Sequence, residues 1–309
     1  MQSDRPNPAF YPLLAALIFM AVGPIVLMLA NSFKLDVDII SGTSGLCFLP
    51  TIQNYETALC DVLWYEPEHL DFCQFKFGGA FINSIIIALV STALTLVLGC
   101  MAAYALVRFR FMGRDAASFT TLMVRMVPPA VLLVPVFGLW NNDFCIGKRT
   151  WLGELIRDSF GGRGDVCLEG THSGIILIYV AMNLPFVIWI LQSFIVQVPR
   201  SLEEAARVDG AGPFQVFFQI VLPLIKPGLA AAAIFTFRIA WNEYLLASAL
   251  SDRDTKTVPI LIVNNVSEFN IEWGVIMATG MLLAIPPIIF TLFASRQIIT
   301  GMTAGAVKG

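Results

Sequence analysis

The sequence predicts an all-α membrane protein with six transmembrane helices. Of its 309 residues, 57% are hydrophobic and only 13% are charged, about half the charged share of a soluble domain. Six segments are apolar over the roughly 20 residues that a helix needs to cross a ~30 Å hydrocarbon layer. A helix satisfies its own backbone polar groups in lipid, so a helical bundle is expected.

The predicted spans share long apolar runs with few charges. They are Tyr11–Ala30, Phe81–Val107, Phe119–Trp140, Gly174–Val196, Gly228–Leu250 and Trp273–Phe293. The first could be a signal peptide, but the stretch Met28-Leu29-Ala30 lacks a small residue three before the cut. We therefore interpret it as a retained helix. Pro128-Pro129 and Pro185 are expected to break helices at membrane depth, where a cavity or a neighbouring helix replaces the lost bonds.

The charge of the loops predicts that both termini are cytoplasmic. Segments on that side hold nine Lys/Arg and five acidic residues, whereas the longer loops on the other side hold eight and sixteen. The higher density of basic residues in the short segments favours this orientation. Arg108, Arg110 and Arg114, at the end of the second span, are its main anchor.

Five of the six cysteines fall on the predicted outer side, where disulfides persist. A Cys145–Cys167 bridge is the first expectation. A second pair is expected among Cys47, Cys60 and Cys73, with Cys60 and Cys73 preferred. Unpaired thiols without a role are the alternative, because connectivity cannot be read from a sequence.

Several classes of function are disfavoured by composition. The net charge of −3 gives no broad basic surface, so nucleic acid is not an expected partner. The two histidines, His69 and His172, are too isolated to form a metal cluster. The chain has no GxxxxGK[ST] phosphate loop. If ATP drives this protein, a separate subunit must therefore carry the ATPase, and no cofactor is expected on this chain.

The segment 197–227 is too long for a simple turn between spans four and five, and it predicts two short helices. Ser201 and Glu204 have the capping-box spacing of a helix start. Asp209-Gly210 ends that helix, and Pro213 opens a second one at its first turn. The apolar residues of the second helix are Phe214, Phe217, Phe218, Ile220 and Val221. The alternative is an amphipathic helix that lies on the membrane.

This segment resembles the EAA motif of the inner-membrane subunits of binding-protein-dependent ABC importers. The spacing between Glu204-Ala205-Ala206, Gly210, Ile220 and Leu222-Pro223 is fully kept. The resemblance implies the type I permease fold and a loop that couples to the ATPase. The coupling residues it implies are Glu204, Ala205, Ala206, Asp209, Gly210, Ile220, Leu222 and Pro223. In that role Glu204 pairs with a basic group of the partner, although it could also cap its own helix.

Other stretches resemble the carbohydrate branch, in particular the second permease of maltose-type and glycerol-3-phosphate-type importers. They include Asn54-Tyr55, Asn83-Ser84, Ala102–Arg110, Arg125–Pro129, Asn183–Phe186, Trp241–Glu243 and the end of the chain, 301–309. In that branch the tail reaches into the interface of the two ATPase subunits. The tail residues concerned are Gly305, Ala306, Val307, Lys308 and Gly309, and the alternative is a disordered end.

The resemblance implies a domain organisation and a set of partners. Residues 1–80 form a first helix and a cysteine-bearing outer loop, and 81–309 form the permease domain with the coupling loop 197–227 and the tail 297–309. The implied partners are a homologous permease (as a heterodimer), two ATPase subunits that carry ATP and Mg²⁺, and an extracytoplasmic solute-binding protein. The implied location is the lipid of a bacterial or archaeal inner or plasma membrane.

Charged and polar side chains inside the spans are candidates for the translocation path, because each charge at mid-bilayer costs at least roughly 2.5–3.5 kcal/mol on insertion scales. We expect Asn242 and Glu243 to line the path or its gate, with Arg238 compensating the charge. A structural pair between helices is the alternative. The candidates are Arg125, Asn183, Arg238, Trp241, Asn242 and Glu243.

The predicted function is import of a sugar or oligosaccharide, and the chain itself is not expected to be an enzyme. A permease for glycerol-3-phosphate or another small polar solute is the alternative within the same class. A secondary transporter is the alternative from another class. It would need ion-coupling carboxylates near the midplane, for which only Glu243 is available.

Overall fold

The computed structural model describes residues 10–42, 45, 48–60, 77–138, 168, 170–264 and 271–306, the last nine of them as backbone only. These residues are mostly helical. In chain order the helices are α1 (Phe10–Ser32), α2 (Asp36–Ser41), α3 (Gln53–Ala58), α4 (Phe77–Arg108), α5 (Arg114–Arg125), α6 (Pro129–Gly138), α7 (His172–Gln197), α8 (Arg200–Val208), α9 (Pro213–Leu224), α10 (Lys226–Trp241), α11 (Leu245–Leu250), α12 (Val258–Asn264) and α13 (Trp273–Ala306).

Four helices are individually long and apolar enough to cross a membrane, namely α1, α4, α7 and α13. They coincide with the first, second, fourth and sixth predicted spans. Two bent helix pairs, α5 with α6 and α9 with α10, raise the number to six if each pair forms one span. The prediction of a six-span helical membrane protein therefore agrees with the structure.

The third predicted span, 119–140, is not one straight helix. Its two parts, α5 and α6, meet at an angle of 96°, and the break contains Val127 and Pro128. Proline disfavours helical geometry at the residue before it and donates no backbone hydrogen bond, so the predicted break at Pro128-Pro129 is confirmed. The break predicted at Pro185 is wrong, because α7 continues through this residue.

The fifth predicted span, Gly228–Leu250, is also wrong as a continuous helix. α10 ends at Trp241, and α11 begins at Leu245, after three intervening residues. The side-chain amide of Asn242 donates to the carbonyl of Arg238 (3.0 Å). The carboxylate of Glu243 accepts from the backbone N–H groups of Leu246 (2.8 Å) and Ala247 (2.9 Å). Side chains therefore form hydrogen bonds with backbone groups that would bond to each other within a continuous helix.

The chain divides into two compact units. The first comprises 1–78 and 261–285, and the second comprises 79–260 and 286–309. In the first unit, buried Asn54 donates to the carbonyls of Ser32 (2.9 Å) and Lys34 (2.7 Å) at the end of α1. Asp36 accepts from the backbone N–H of Gly274 at the start of α13 (2.6 Å). These bonds fix the chain where it leaves α1.

The core of the second unit lies between α4, α7 and α9. Its buried residues include Cys100, Ala103 and Tyr104 of α4, Val187, Leu191 and Ile195 of α7, and Phe217, Val221 and Ile225 of the α9 region. Gly99 allows α4 to approach α7 closely, since a Cβ there would lie only 2.6 Å from Cγ1 of Val187. Small residues commonly permit such close helix packing in membranes.

Candidate functional site

The segment between α7 and α10 forms a helix–turn–helix knob made of α8 and α9, as predicted. α8 ends in a two-bond turn: Gly210 N–H donates to the carbonyl of Arg207 (3.1 Å), and Ala211 N–H donates to that of Ala206 (2.9 Å). Gly210 has φ of 88°, a left-handed conformation typical of this helix ending. Pro213 occupies the first turn of α9 behind Gly212. The predicted stop at Asp209-Gly210 and start at Pro213 are confirmed.

This turn predicts a sharp contrast between two glycine substitutions. Gly210→Val should destabilise the knob by about 1–2 kcal/mol, because a side chain at this positive φ meets the following carbonyl. Gly212→Ala is the matched control, since Gly212 has φ of −72°, which alanine adopts freely. The rate of limited trypsin cleavage within the knob measures both. Equal cleavage rates for the two variants would contradict this assignment of the turn.

The start of α8 differs from the prediction. The helix begins at Arg200 with Pro199 at the cap position, and no side chain caps it. Ser201 therefore lies inside the first turn and cannot form the predicted capping box with Glu204. Glu204 is exposed. The alternative that Glu204 only caps its own helix is wrong for the same reason.

The outer face of the knob carries most of the motif. Glu204, Ala205, Asp209, Gly210 and Pro223 are exposed, and Ala206, Ile220 and Leu222 are half-buried. Large apolar side chains are exposed beside them: Val208 is 88%, Phe214 75% and Phe218 58% accessible. A cluster of exposed apolar residues next to charged ones is typical of surfaces that contact a protein partner or a membrane.

The inner face of the knob is buried against α4 and α7. Val216 and Val221 are inaccessible to solvent, and the ring of Phe217 lies edge-on to Tyr104 of α4, with centroids 5.0 Å apart. Apolar burial of this kind stabilises the contact by roughly 1.5–3 kcal/mol for each fully buried large side chain. The knob is therefore packed on the helical bundle.

A buried ion pair fixes the knob to α4. Oε1 of Glu203, which is 3% exposed, lies 2.6 Å from Nε of Arg108. The hydroxyl of Tyr104 donates to Oε2 of Glu203 (3.0 Å). Arg108 also donates to the carbonyls of Ile195 (3.0 Å) and Val198 (2.8 Å) at the end of α7. One guanidinium thus joins α4, α7 and α8.

A second candidate site lies in the same unit, in a mostly apolar cavity of about 390 Å³ at the α5–α6 break. Three of the predicted path residues line it: Arg125, Asn183 and Glu243. The guanidinium carbon of Arg125 lies 3.9 Å from the centroid of the Phe186 ring, in cation–π geometry. Buried Asn183 donates to the carbonyl of Tyr179 (2.9 Å).

Glu243 is held by protein groups other than those predicted. Its Oε2 accepts a hydrogen bond from Tyr179 (2.7 Å), in addition to the two backbone N–H groups of α11. Arg238 is exposed and makes no ion pair with Glu243 in the described residues. Asn242 is also exposed. Trp241 is 1% exposed and stacks on Phe237 with centroids 5.6 Å apart; it packs in the core.

The fold and the knob can be compared with known proteins. Residues 95–302 match the family model "Binding-protein-dependent transport system inner membrane component". The chain belongs to this family. Among the relatives of this inner membrane component, the trehalose transport system permease protein SugB of Mycobacterium tuberculosis is 38% identical over 236 residues, which cover 75% of this chain and 78% of SugB. The diacetylchitobiose uptake system permease protein DasC of Streptomyces coelicolor is 30% identical over 98% of this chain and 96% of DasC.

A solved structure shows the same fold. It is a bacterial ABC transporter involved in the import of the acidic polysaccharide alginate, with 22% sequence identity and a TM-score of 0.65 over 93% of this chain and 94% of that one. The inner membrane component described here is thus a membrane-embedded permease subunit of an ABC importer with the importer permease fold. Such a subunit is a transport protein, not an enzyme.

The structure also places the remaining predicted residues of this permease. Cys60 is disulfide-bonded, and Cys100 is a free, buried thiol. Cys47, Cys73, Cys145 and Cys167 lie outside the described residues. Gly305 and Ala306 belong to the last turn of α13, and Val307, Lys308 and Gly309 lie outside. Within the described ranges, no group of three or more His, Cys, Asp or Glu side chains could hold a metal ion.

The important residue that sequence reasoning missed is Glu203. It precedes the motif residue Glu204, and two adjacent glutamates in a sequence predict a solvated helix face. The only local signal is its spacing of three residues from half-buried Ala206, which places the two on one side of α8. Its partner Arg108, expected only as a topological anchor, lies 95 positions earlier in the sequence.

Proposed function

We propose that this permease imports a sugar or oligosaccharide, forms the translocation path with a homologous permease, and receives mechanical work from two ATPase subunits through the knob α8–α9. An extracytoplasmic binding protein delivers the solute. ATP and Mg²⁺ are bound by the ATPase subunits, and both termini and the knob face the cytoplasm. The names of the relatives SugB and DasC, which refer to trehalose and diacetylchitobiose, support this class of solute.

One observation supports the coupling role: one face of the knob is exposed, and the opposite face is buried against the helical bundle. Glu204 is exposed, whereas the adjacent Glu203 is buried and paired with Arg108. The exposed face offers a carboxylate and apolar side chains, including Phe214 and Phe218, to a partner. An amphipathic helix that only lies on a membrane needs no buried ion pair on its other side, so this arrangement favours protein docking.

The contacts of the buried face would transmit a displacement of the knob to the membrane-spanning helices. Arg108 binds Glu203 of α8 and two carbonyls at the end of α7. Tyr104 contacts both Glu203 and Phe217. Because these contacts connect both helices of the knob to α4 and α7, displacement of the knob moves the ends of these two spans with it. That is the requirement for alternating access driven from outside the membrane.

The cavity at Arg125, Asn183 and Glu243 is the candidate for contact with the solute inside this subunit. The cavity is mostly apolar but includes a guanidinium and an amide, and a few such polar groups at fixed positions can orient a hydroxyl-rich solute. The carboxylate of Glu243 is already occupied by Tyr179 and the start of α11. Arg125 and Asn183 are therefore the better candidates for direct contact.

The coupling role is tested by Glu204→Lys in the purified transporter. We expect the variant to assemble in the membrane but to lose solute-stimulated ATP hydrolysis at least about tenfold, because charge reversal at a docking surface costs more than 1.4 kcal/mol. Arg110→Glu, which reverses the charge of an exposed residue outside the knob, is the control and should retain activity. Normal stimulated turnover in Glu204→Lys would refute the coupling assignment.

The energy source and the solute have separate tests. Uptake should stop when ATP is exhausted and continue when the membrane potential is dissipated; the opposite result would indicate a secondary transporter.

Mass analysis of the ligand that co-purifies with the binding protein identifies the solute. A ligand without a sugar moiety, for example glycerol phosphate, would contradict the proposed solute class while leaving the coupling role intact.

A further inference from the structure

A cationic cleft of about 420 Å³ lies beside the knob, between the end of α4, the start of α5 and the end of α7. Three arginines line it: Arg108, Arg114 and Arg200. Ser118 and Gln192 provide polar groups, and the described residues that line the cleft include no acid. This cleft is separate from the membrane cavity at Arg125 and from the outer face of the knob.

Two of the three arginines keep hydrogen-bond donors for a ligand. Arg108 is committed to Glu203 and to carbonyls of α7. Arg114 lies 3.4 Å from Asp115, whose side chain is 96% exposed, and such surface pairs contribute little. Arg200 makes one long contact with the carbonyl of Val107 (3.4 Å). Each guanidinium carries five N–H donors, so most of those on Arg114 and Arg200 stay unoccupied.

The surroundings of the cleft are those of a membrane interface. Its wall includes Leu106 and Val196, and the connection from α4 to α5 exposes Phe109 (53%), Phe111 (48%) and Met112 (102%). Exposed apolar side chains such as Phe can insert at the boundary between the hydrocarbon layer and the headgroups. A basic pocket between spans at the cytoplasmic surface is the kind of site that binds acidic lipid headgroups.

We propose that this cleft binds the phosphate group of an anionic phospholipid, with Arg114 and Arg200 as the ligating residues. Guanidinium groups bind phosphate oxygens through paired, charge-assisted hydrogen bonds. The volume equals the share of about a dozen water molecules in the liquid, which accommodates a phosphate with its glycerol. The inference rests on the proposed function for its cytoplasmic orientation. A headgroup here would contact the base of the knob and so make coupling sensitive to lipid charge.

The test uses the complete transporter, with its partner subunits, in phosphatidylcholine nanodiscs. Dioctanoyl phosphatidylglycerol, dioctanoyl phosphatidylcholine and inorganic phosphate are titrated separately, and the shift in melting temperature is recorded. The test variant is Arg114→Gln/Arg200→Gln. The control is Arg110→Gln/Lys226→Gln, which removes two exposed positive charges outside the cleft. We expect phosphatidylglycerol to raise the melting temperature of the wild type and the control, and to bind the test variant at least about tenfold more weakly.

The outcomes separate the possible occupants. A shift with phosphatidylglycerol alone identifies a lipid headgroup, and a shift with inorganic phosphate as well identifies a phosphate site open to free anions; both support the proposal. Equal shifts with the two lipids, or equal binding by test and control variants, would overturn it. So would release of the ATPase subunits from the test variant without a change in lipid binding, because the cleft would then be a protein contact. Solute-stimulated ATP hydrolysis by the wild type is measured in the same nanodiscs, and its absence would count against the proposed function alone.

Discussion

Replacing Arg108 by leucine is expected to detach the knob from the spans. The carboxylate of Glu203, with 4% of its side chain exposed, would remain buried and would keep only the more distant cation Arg207, whose Nη2 lies 4.0 Å from Oε2. Removing one partner of a buried ion pair costs about 3–5 kcal/mol, and Arg108 also satisfies two carbonyls of α7. We therefore expect the population of the open knob to rise at least about a hundredfold. The rate of trypsin cleavage after Arg200 and Arg207 measures it.

Two further variants distinguish the effect of the Arg108–Glu203 ion pair from that of replacing any arginine in this region. Arg108→Leu/Glu203→Leu removes both charges and should recover much of the lost stability, because an apolar pair can replace a buried ion pair. Arg110→Leu, two residues away and exposed, should change the free energy of opening by less than about 0.5 kcal/mol. If Arg108→Leu were cleaved no faster than Arg110→Leu, the pair would not hold the knob.

The same variants distinguish stability from coupling. The double leucine variant keeps the knob folded on α4 but loses the bonds from Arg108 to the end of α7. If these bonds carry the mechanical link, the variant hydrolyses more ATP for each solute molecule imported than the wild type does. An unchanged ratio would mean that apolar packing around Phe217 and Val221 is sufficient for transmission.

The parts of this structure that sequence predicted are those decided locally. Apolar runs of about 20 residues identify spans because the bilayer, a uniform apolar solvent, selects composition. Gly210 and Pro213 mark the turn of the knob because their effects on backbone conformation depend little on distant residues. The outline of the knob and the membrane class therefore follow from the sequence.

The parts that sequence missed depend on residues far apart in the chain. Glu203 is buried because it forms an ion pair with Arg108 and accepts a hydrogen bond from Tyr104, both on α4. Tyr104 lies 99 positions away in the sequence. The helix of the fifth span ends at Trp241, and Glu243 follows it. Glu243 accepts a hydrogen bond from Tyr179, 64 positions away, and accepts two more from backbone N–H groups at the start of α11. Such pairings leave no periodic trace in a single sequence, so a continuous apolar segment appeared to be one helix.

Glu243→Ala is expected to produce the second large effect. It removes the acceptor of two N–H groups at the start of α11 and leaves the hydroxyl of Tyr179, which is 2% exposed, without its carboxylate partner. Loss of a helix cap and of a buried hydrogen bond together cost about 2–4 kcal/mol. The melting temperature of the purified transporter measures this. Asn242→Ala, the exposed neighbour, should shift it far less.

Glu243→Gln decides between two roles of this carboxylate. The amide oxygen can take the place of Oε2 and accept from Ala247 and Tyr179, while only the N–H of Leu246 loses its acceptor. A structural role therefore predicts import within a few-fold of wild type. A carboxylate that carries a coupling ion or proton cannot be replaced by an amide, since its charge change is the mechanism. Abolished import with a normal melting temperature would therefore contradict the structural role and reopen secondary transport. Because the carboxylate of Glu243 already accepts hydrogen bonds from Tyr179 and from two backbone N–H groups, we expect import to persist.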